Sequence, residues 1–495
     1  MTIAHRSSPR RGCTKRCGTR LMGVKVRWLT ATASVVFSLG AHANDASTAG
    51  ATQDAAFDEV LKDYLAPGEP GCSAAVMRDG KLLHAPSYGM ADIETHQPLD
   101  ANSIFNIASV SKQFTAFSIL LLEDRKKLSL DDPLIKYVPE LSASAHGVTL
   151  RHLLHHMGGL RDYTALLMLR GRRISDGATQ FETLQTLGRQ RGVNFAAGTQ
   201  YEYSNTGYVL LATIVERVSG RSMKEFAAEN IFDPLGMTQT TIIDRYPARL
   251  SRLARAYSRG ENGYEVDESA WEQVGDGQVH TTVSDLLLWA QNLHTGRVGG
   301  LPVVQRMTEA GVLNSGKKID YAAGLIIGER NGLPTVEHSG GWAGYRSELL
   351  TFPRQDFAVT VLCNAADTSP KKIANAVAGI YLAQEMRRVG TGKGPQEPER
   401  GEESVPAARW KPAALLDYEG VYWSDEAEAR CVLVERGGTL YVEGCMPGYE
   451  LQPADDQEFY SKEAMVRLRF QGTSGKSSGF TLGAPGITSL TFVRQ

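Results

Sequence analysis

Three short motifs carry residue types suited to acyl transfer: Ser109-Val-Ser-Lys112, Tyr203-Ser-Asn205 and His338-Ser-Gly340. A serine hydroxyl is a weak nucleophile until a neighbouring base takes its proton. At i, i+3 spacing on a helix, Lys112 lies one turn from Ser109 on the same face. A helix amino terminus at this point disfavours a protonated lysine and favours a developing oxyanion. A tyrosine hydroxyl near Lys112 can shuttle protons, and the Asn205 amide can hold a substrate carbonyl. Small residues at Gly340 and Gly341 allow a substrate backbone to lie close to an edge strand.

Each motif alone is weak. Ser-x-x-Lys recurs at Ser315/Lys318 and Ser369/Lys372, and His-x-Gly recurs at His156/Gly158 and His294/Gly296. Context separates the copies. Ser109 sits where a strand-like segment, 103–108, runs into an amphipathic helix bearing Phe114, Phe117, Leu120 and Leu121. The two other His-x-Gly copies read as helix ends with a glycine cap. Tyr203 and Asn205 lie in a Gly/Thr/Asn-rich loop that feeds a second amphipathic helix, a common place for functional residues. His152, His155 and His156 lack a convincing carboxylate partner and read as helix-end histidines, so no metal is expected. Gly475-Lys476-Ser477-Ser478-Gly479 matches both a nucleophile elbow and part of a phosphate loop, but the flanking context of either is missing.

The elements needed to position these groups are legible. Segment 71–83 reads as a hairpin turning at Asp79-Gly80. Thr149 caps the helix that begins LRHLLHH, and Thr282 with Asp285 begins another running through Trp289. Segments 335–338, 346–352 and 357–364 read as successive antiparallel strands, the last two joined at Pro353–Asp356. Residues 44–386 therefore read as one mixed α/β body. Residues 387–412, charged and rich in Gly and Pro, read as a linker, and 413–495 as a small all-β domain, a barrel or a sandwich.

A basic amino terminus, an apolar run from Trp28 to Leu39 and the small-x-small Ala41-His42-Ala43 read as a signal peptide over 1–43; starting at Met22 leaves a signal of ordinary shape. A periplasmic or secreted protein with no stable membrane span after cleavage is expected. Four cysteines then remain: Cys72, Cys363, Cys431 and Cys445. A three-residue turn at Gly437-Gly438 would set Cys431 opposite Cys445, whereas a two-residue turn would miss by one position. None of the four has metal-ligand spacing. The net charge of −2 and the absence of a basic stripe give no reason to expect nucleic acid. Partners are expected to be small-molecule or peptide substrates, with no cofactor; nothing here bears on oligomeric state.

Together with their flanks, the motifs resemble the serine beta-lactamase and penicillin-binding-protein superfamily, in the class C-like branch that includes D-aminopeptidases, D-alanyl-D-alanine carboxypeptidases and esterases. FNIASVSKQFTA, KLSLDDPLIKYVPEL, VTLRHLLHHMGGLRDY, YEYSNTGYVLLATIVERVSG, IFDPLGMTQT and HSGGWAGYRS stand in that family's order across 55–385. The resemblance implies an α+β fold: an antiparallel sheet flanked by helices, with an all-helical lobe. It implies Ser109 as nucleophile, Lys112 as its activating partner, Tyr203 as base or proton shuttle, and Asn205, His338, Gly340 and Gly341 on the substrate. The backbone N–H groups of Ser109 and Gly341 would form the oxyanion hole. It also makes the first and last sheet strands neighbours, so that Cys72 and Cys363 could approach, without implying that they bond.

His338 stands where many relatives carry lysine. Histidine near neutral pH is largely uncharged, which weakens the grip on a substrate carboxylate; Arg346 nearby is a candidate replacement charge. The expectation is an exported serine hydrolase of small peptides or amides, D-aminopeptidase or D-Ala-carboxypeptidase-like. The alternatives are a carboxylesterase, a weak beta-lactamase, or a penicillin binder acylated without turnover.

Overall fold

The main sheet forms because six segments present long apolar or alternating runs bounded by tight turns. In chain order these are β1 (Cys72–Arg78), β2 (Lys81–His84), β3 (Ile326–Arg330), β4 (Leu333–Trp342), β5 (Tyr345–Phe352) and β6 (Phe357–Cys363). A computed structural model describes residues 41–247, 250–389, 415–455, 457–471 and 476–495. The sheet, lobe and barrel all belong to one compact unit, Ala51–Gln495.

The strand order is β3-β4-β5-β6-β1-β2, all antiparallel, with the short strand Ser87–Tyr88 also pairing to β1. Asp79 and Gly80 both take positive φ (50° and 67°), the backbone of a two-residue hairpin turn. The first and last strands are neighbours, which puts Cys72 opposite Cys363.

The helices that frame the sheet and the site are α1 (Ala41–Tyr64), α2 (Lys112–Asp124), α3 (Tyr163–Leu169), α4 (Asn205–Ser219), α5 (Val283–Thr295) and α6 (Pro370–Tyr381). Alternation along the strands gives the sheet two apolar faces. One buries Ala74, Val76, Leu350, Phe352, Val359 and Val361 against Phe57 and Leu61 of α1 and Ile373 and Val377 of α6. The other continues through Leu349, Ala358 and Leu362 into the core of the helical lobe, where Phe114 and Phe117 of α2 pack on Trp289 of α5. Thr149 and Thr282 cap their helices through side-chain bonds to the amides of His152 and Asp285.

The carboxy-terminal unit is a closed barrel of eight antiparallel strands, β7 (Gly420–Ser424), β8 (Ala429–Arg436), β9 (Thr439–Glu443), β10 (Pro447–Pro453), β11 (Glu458–Ser461), β12 (Val466–Gln471), β13 (Gly479–Ala484) and β14 (Ile487–Arg494). Strict alternation sends Val466, Leu468 and Phe470 inward and leaves Arg467 and Arg469 outside. Phe480 and Phe492 stack across the barrel interior with centroids 4.9 Å apart. Closure removes the sheet edges that a sandwich would leave open.

Both cysteine pairs that the sequence leaves open are bonded. Cys72 and Cys363, treated as near neighbours without a bond, form a disulfide across β1 and β6 with Cα atoms 4.0 Å apart. In the barrel, Arg436 pairs with Thr439, so the turn has two residues and the register misses, yet Cys431 and Cys445 are bonded. Gly444, at φ 82°, breaks the strand and returns Cys445 toward Cys431. A helix at Ala383–Val389 continues past Met386; the rest of the segment read as a linker lies outside the described residues, as does Gly475. The segment read as a signal peptide is likewise outside them, apart from Ala41–Ala43 at the start of α1. No helix among the described residues is long and apolar enough to cross a membrane.

Candidate active site

Ser109 lies in a short 3-10 turn, Ala108–Ser111, that runs directly into α2. The turn is held from below. The Asn106 side chain accepts from the Ala108 amide at 2.8 Å, and Ser347 Oγ of β5 donates to the Ile107 carbonyl at 2.7 Å. Ala108 has φ 46°, a left-handed conformation that turns the chain sharply before the helix. Gly340 of β4 makes this approach possible. A Cβ there would stand 2.3 Å from both the Ile107 carbonyl and Ser347 Oγ.

Lys112 is fully buried, with 0% of its surface exposed. Its Nζ makes three hydrogen bonds: 3.1 Å to Ser109 Oγ, 2.9 Å to Asn205 Oδ1 and 2.8 Å to the backbone carbonyl of Asp276. It also sits 5.0 Å from the Tyr203 ring centroid. The first two motifs noted in the sequence therefore converge on one amine, although 93 residues separate Lys112 from Asn205.

Tyr203 and Asn205 are positioned from the lobe side. Asp162 Oδ2 accepts from the Asn205 amide at 2.6 Å, closing the first turn of α4, and Thr206 Oγ1 accepts from the Tyr163 amide at 2.8 Å. His156 lies against the Tyr203 ring, centroids 4.3 Å apart. Its Nδ1 accepts from the Ser204 amide, which leaves the proton on Nε2. Burial drives the His156 imidazole well below its ordinary pKa, so it braces the loop as a neutral ring.

The barrel reaches the same loop. The tip of the β13–β14 hairpin places the Gly486 carbonyl 2.8 Å from the Asp162 amide and 3.0 Å from Asn194 Nδ2. Asn194 in turn accepts from the Thr488 amide at 2.9 Å. Behind the tip, buried Arg161 donates to Glu426 at 2.7 Å, to Gln190 at 2.7 Å and to the Ser489 carbonyl at 2.6 Å. A bonded path thus runs from Gly486 through Asp162, Asn205 and Lys112 to Ser109 Oγ.

Above Lys112 opens a cleft of about 230 Å³ lined by Ser109, Tyr203, Asn205, Gly341 and, beyond the sequence expectations, Tyr163, Trp271, Gln273, Asp276 and Trp342. Tyr203 is 38% exposed in its wall. β3 pairs with β4 only up to Glu337, so His338–Trp342 present an open strand edge at the rim. Tyr163 Oη donates to Asp276 Oδ2 at 2.9 Å. Burial pushes the Asp276 carboxyl up to about 6, against the pull of the Lys112 charge.

His338 is brought next to the site but not onto its surface. It is 3% exposed and does not line the cleft. Its Nδ1 donates to the Ser339 carbonyl at 2.6 Å and its Nε2 accepts from Tyr321 Oη at 3.0 Å. Burial, aided by the Lys112 charge, pushes it down to about 3, so it is neutral. Arg346 supplies no charge to the cleft lining either; it donates to the carbonyls of Ala343 and Tyr345. No cluster of three metal-ligating side chains exists among the described residues.

Residues 57–383 match the Beta-lactamase family. The chain belongs to the beta-lactamase family. Like its wider superfamily of penicillin-binding proteins, it is a serine hydrolase by fold and relationship. It is 29% identical over 424 residues to a penicillin-binding protein of Bacillus subtilis, covering 81% of this chain and 90% of that one. It is 29% identical over 325 residues to a D-aminopeptidase of Gluconobacter oxydans, covering 63% of this chain and 60% of the relative's length. The octameric penicillin-binding protein homologue from Pyrococcus abyssi shares the fold at a TM-score of 0.59 and 22% identity, over 89% of this chain and 99% of that one. Within this beta-lactamase-family fold, the match covers the sheet and lobe but stops before the barrel.

Sequence reasoning missed Asp276, Gln273, Trp271, Trp342 and the bracing pair His156 and Asp162. Asp276 carried one local signal, its place between Gly275 and Gly277 just before the Thr282 cap. The others reach the cleft only through packing.

Proposed function

We propose that the protein is an exported serine hydrolase that cleaves small peptides or amides through a Ser109 acyl-enzyme. The observation that carries this reading is the Lys112 amine, buried and bonded at once to Ser109 Oγ and Asn205 Oδ1 beneath an open cleft. Ser109 Oγ attacks the substrate carbonyl while its proton passes to the Lys112–Tyr203 pair. The C–N bond then breaks, the departing nitrogen takes that proton, and water hydrolyses the ester formed on Ser109. The amides of Ser109 and Gly341 would receive the oxyanion, and Asn205 the substrate amide. Similarity to D-aminopeptidases supports an amide substrate with a D-residue. The basic and apolar leader supports export to the periplasm or medium.

The test is a panel: D-alanine p-nitroanilide, p-nitrophenyl acetate and a fluorescent penicillin, each with the wild type and Ser109→Ala. Ser109-dependent release of p-nitroaniline supports the peptidase reading. Turnover of the ester alone would make the protein an esterase, and stable penicillin label without turnover would make it a binder. Activity surviving in Ser109→Ala would overturn the assignment of the nucleophile.

A further inference from the structure

The cleft is chemically lopsided. Among the residues lining it, Asp276 is the one with a formal charge. No basic side chain lines it, and all three hydrogen-bonding positions of the Lys112 nitrogen directly beneath are taken. Lys112 takes the backbone carbonyl of Asp276 rather than its carboxylate, while Tyr163 donates to Oδ2. A second acceptor is close at hand in the lining. Gln273 is 2% exposed and commits its amide nitrogen to the Thr179 carbonyl and Thr183 Oγ1, yet its Oε1 has no hydrogen-bond partner. A buried acceptor without a donor is costly, and it marks a place where a donor-rich group is missing. Trp271, Trp342, Tyr163 and Tyr203 supply aromatic walls, which favour a cation and disfavour an anion.

We propose that Asp276 and Gln273 form an ammonium subsite that makes the cleft selective for acyl donors carrying a free primary amine next to the scissile carbonyl. The inference rests on the reading of Ser109 as the nucleophile and deepens it. The Asp276 backbone oxygen and Ser109 Oγ both bond the same Lys112 nitrogen, at 2.8 and 3.1 Å, so the two residues meet at one amine beneath the cleft they both line. An α-ammonium stands only two bonds from the carbonyl carbon, at the same end of that cleft. A substrate with a carboxylate there meets Asp276 and finds no basic side chain in the lining and no uncommitted hydrogen-bonding position on Lys112, which turns the site away from carboxylate-bearing amides. Asp276 and Gln273 are thus specificity residues that touch substrate through its amine and take no part in bond breaking.

The test measures competition against p-nitrophenyl acetate hydrolysis by the full-length protein, with D-alaninamide and N-acetyl-D-alaninamide as the two probes. In the wild type, D-alaninamide should inhibit at concentrations about tenfold lower or more than its acetylated form, the scale of one charge-assisted contact. Asp276→Asn should shrink that ratio toward one, and Gln273→Leu should reduce it partway. A wild-type ratio at or below one overturns the proposal without any variant. A ratio unchanged in Asp276→Asn overturns it too, and would make Asp276 a support for Lys112. The underlying reading fails separately: p-nitrophenyl acetate turnover that persists in Ser109→Ala would show that Ser109 is not the nucleophile.

Discussion

The two halves of the proposed catalytic constellation are supported in opposite ways. Ser109 and Lys112 stand on one continuous turn and helix, with Gly340 and Ser347 of the central sheet packed beneath them. Tyr203 stands on a loop and Asn205 at the start of α4, both held by single side chains, His156 and Asp162, and Asp162 is bonded in turn to the tip of a barrel hairpin 324 residues further along the chain. The first half is fixed by local helix geometry and a buried core. The second depends on a distant domain, so the barrel is a structural part of the site rather than an appendage.

The largest effect that sharpens this contrast is expected from Ser109→Ala, which should lower kcat/KM by roughly a thousandfold or more while leaving the thermal transition in place. Next comes Gly486→Val. A Cβ at Gly486 would stand 2.5 Å from Asp162 Cβ, at a φ of 76° that β-branched residues avoid. Pushing Asp162 off the Asn205 amide should cut kcat by about ten- to a hundredfold with little change in KM, because a misplacement of about 1 Å is enough. A variant with wild-type kcat would show that the lobe holds the Tyr203 loop unaided, which would break the comparison.

Arg161→Met should act on stability before activity. It strips Glu426 of its cation while the β7–β8 turn and the Arg191 and Gly192 amides still hold that carboxylate in the seam. Breaking one partner of a buried pair costs about 3 kcal/mol, so calorimetry should find a Tm lower by several degrees. An unchanged Tm would mean that the seam is stabilised by its apolar contacts alone.

The smallest effect concerns the far face of the sheet. Glu348 of β5 is buried, takes the Ser339 hydroxyl at 2.5 Å, and leaves Oε1 without a partner. Burial pushes its carboxyl up to about 8 from an ordinary value of 4.5. The folded state therefore holds a proton that the unfolded chain releases near that ordinary value. Its contribution is fully present below the unfolded pKa and is lost as pH rises through the folded one. Tm should fall between about pH 5 and about pH 8, and Glu348→Gln should flatten that slope. An identical slope in the variant would place the titration elsewhere.

Features set by neighbours in the chain are legible in the amino-acid sequence: the Asp79-Gly80 turn, the Thr149 and Thr282 caps, the Ser109–Lys112 turn, and the strand pattern from β4 to β6. The role of His338 is half legible. Its chemistry follows from its being histidine, but its removal from the cleft lining follows from Tyr321, a partner brought to it by packing. The Cys431–Cys445 bond is legible only as a candidate, because strand register decides it and a positive φ at Gly444 ends that register. Asp276 is barely legible, because its one local signal, a place between two glycines, also reads as an ordinary turn.

The sequence by itself determined the reaction type the site is built for, since Ser109 and Lys112 need only one helical turn to meet and the flanking segments identify the family. Only the tertiary structure decided what the cleft favours and what holds it open. Charge in a pocket is a sum over walls contributed by distant segments, and the support of Asn205 crosses from lobe to barrel. No local pattern encodes either, because both are set by which surfaces are buried together.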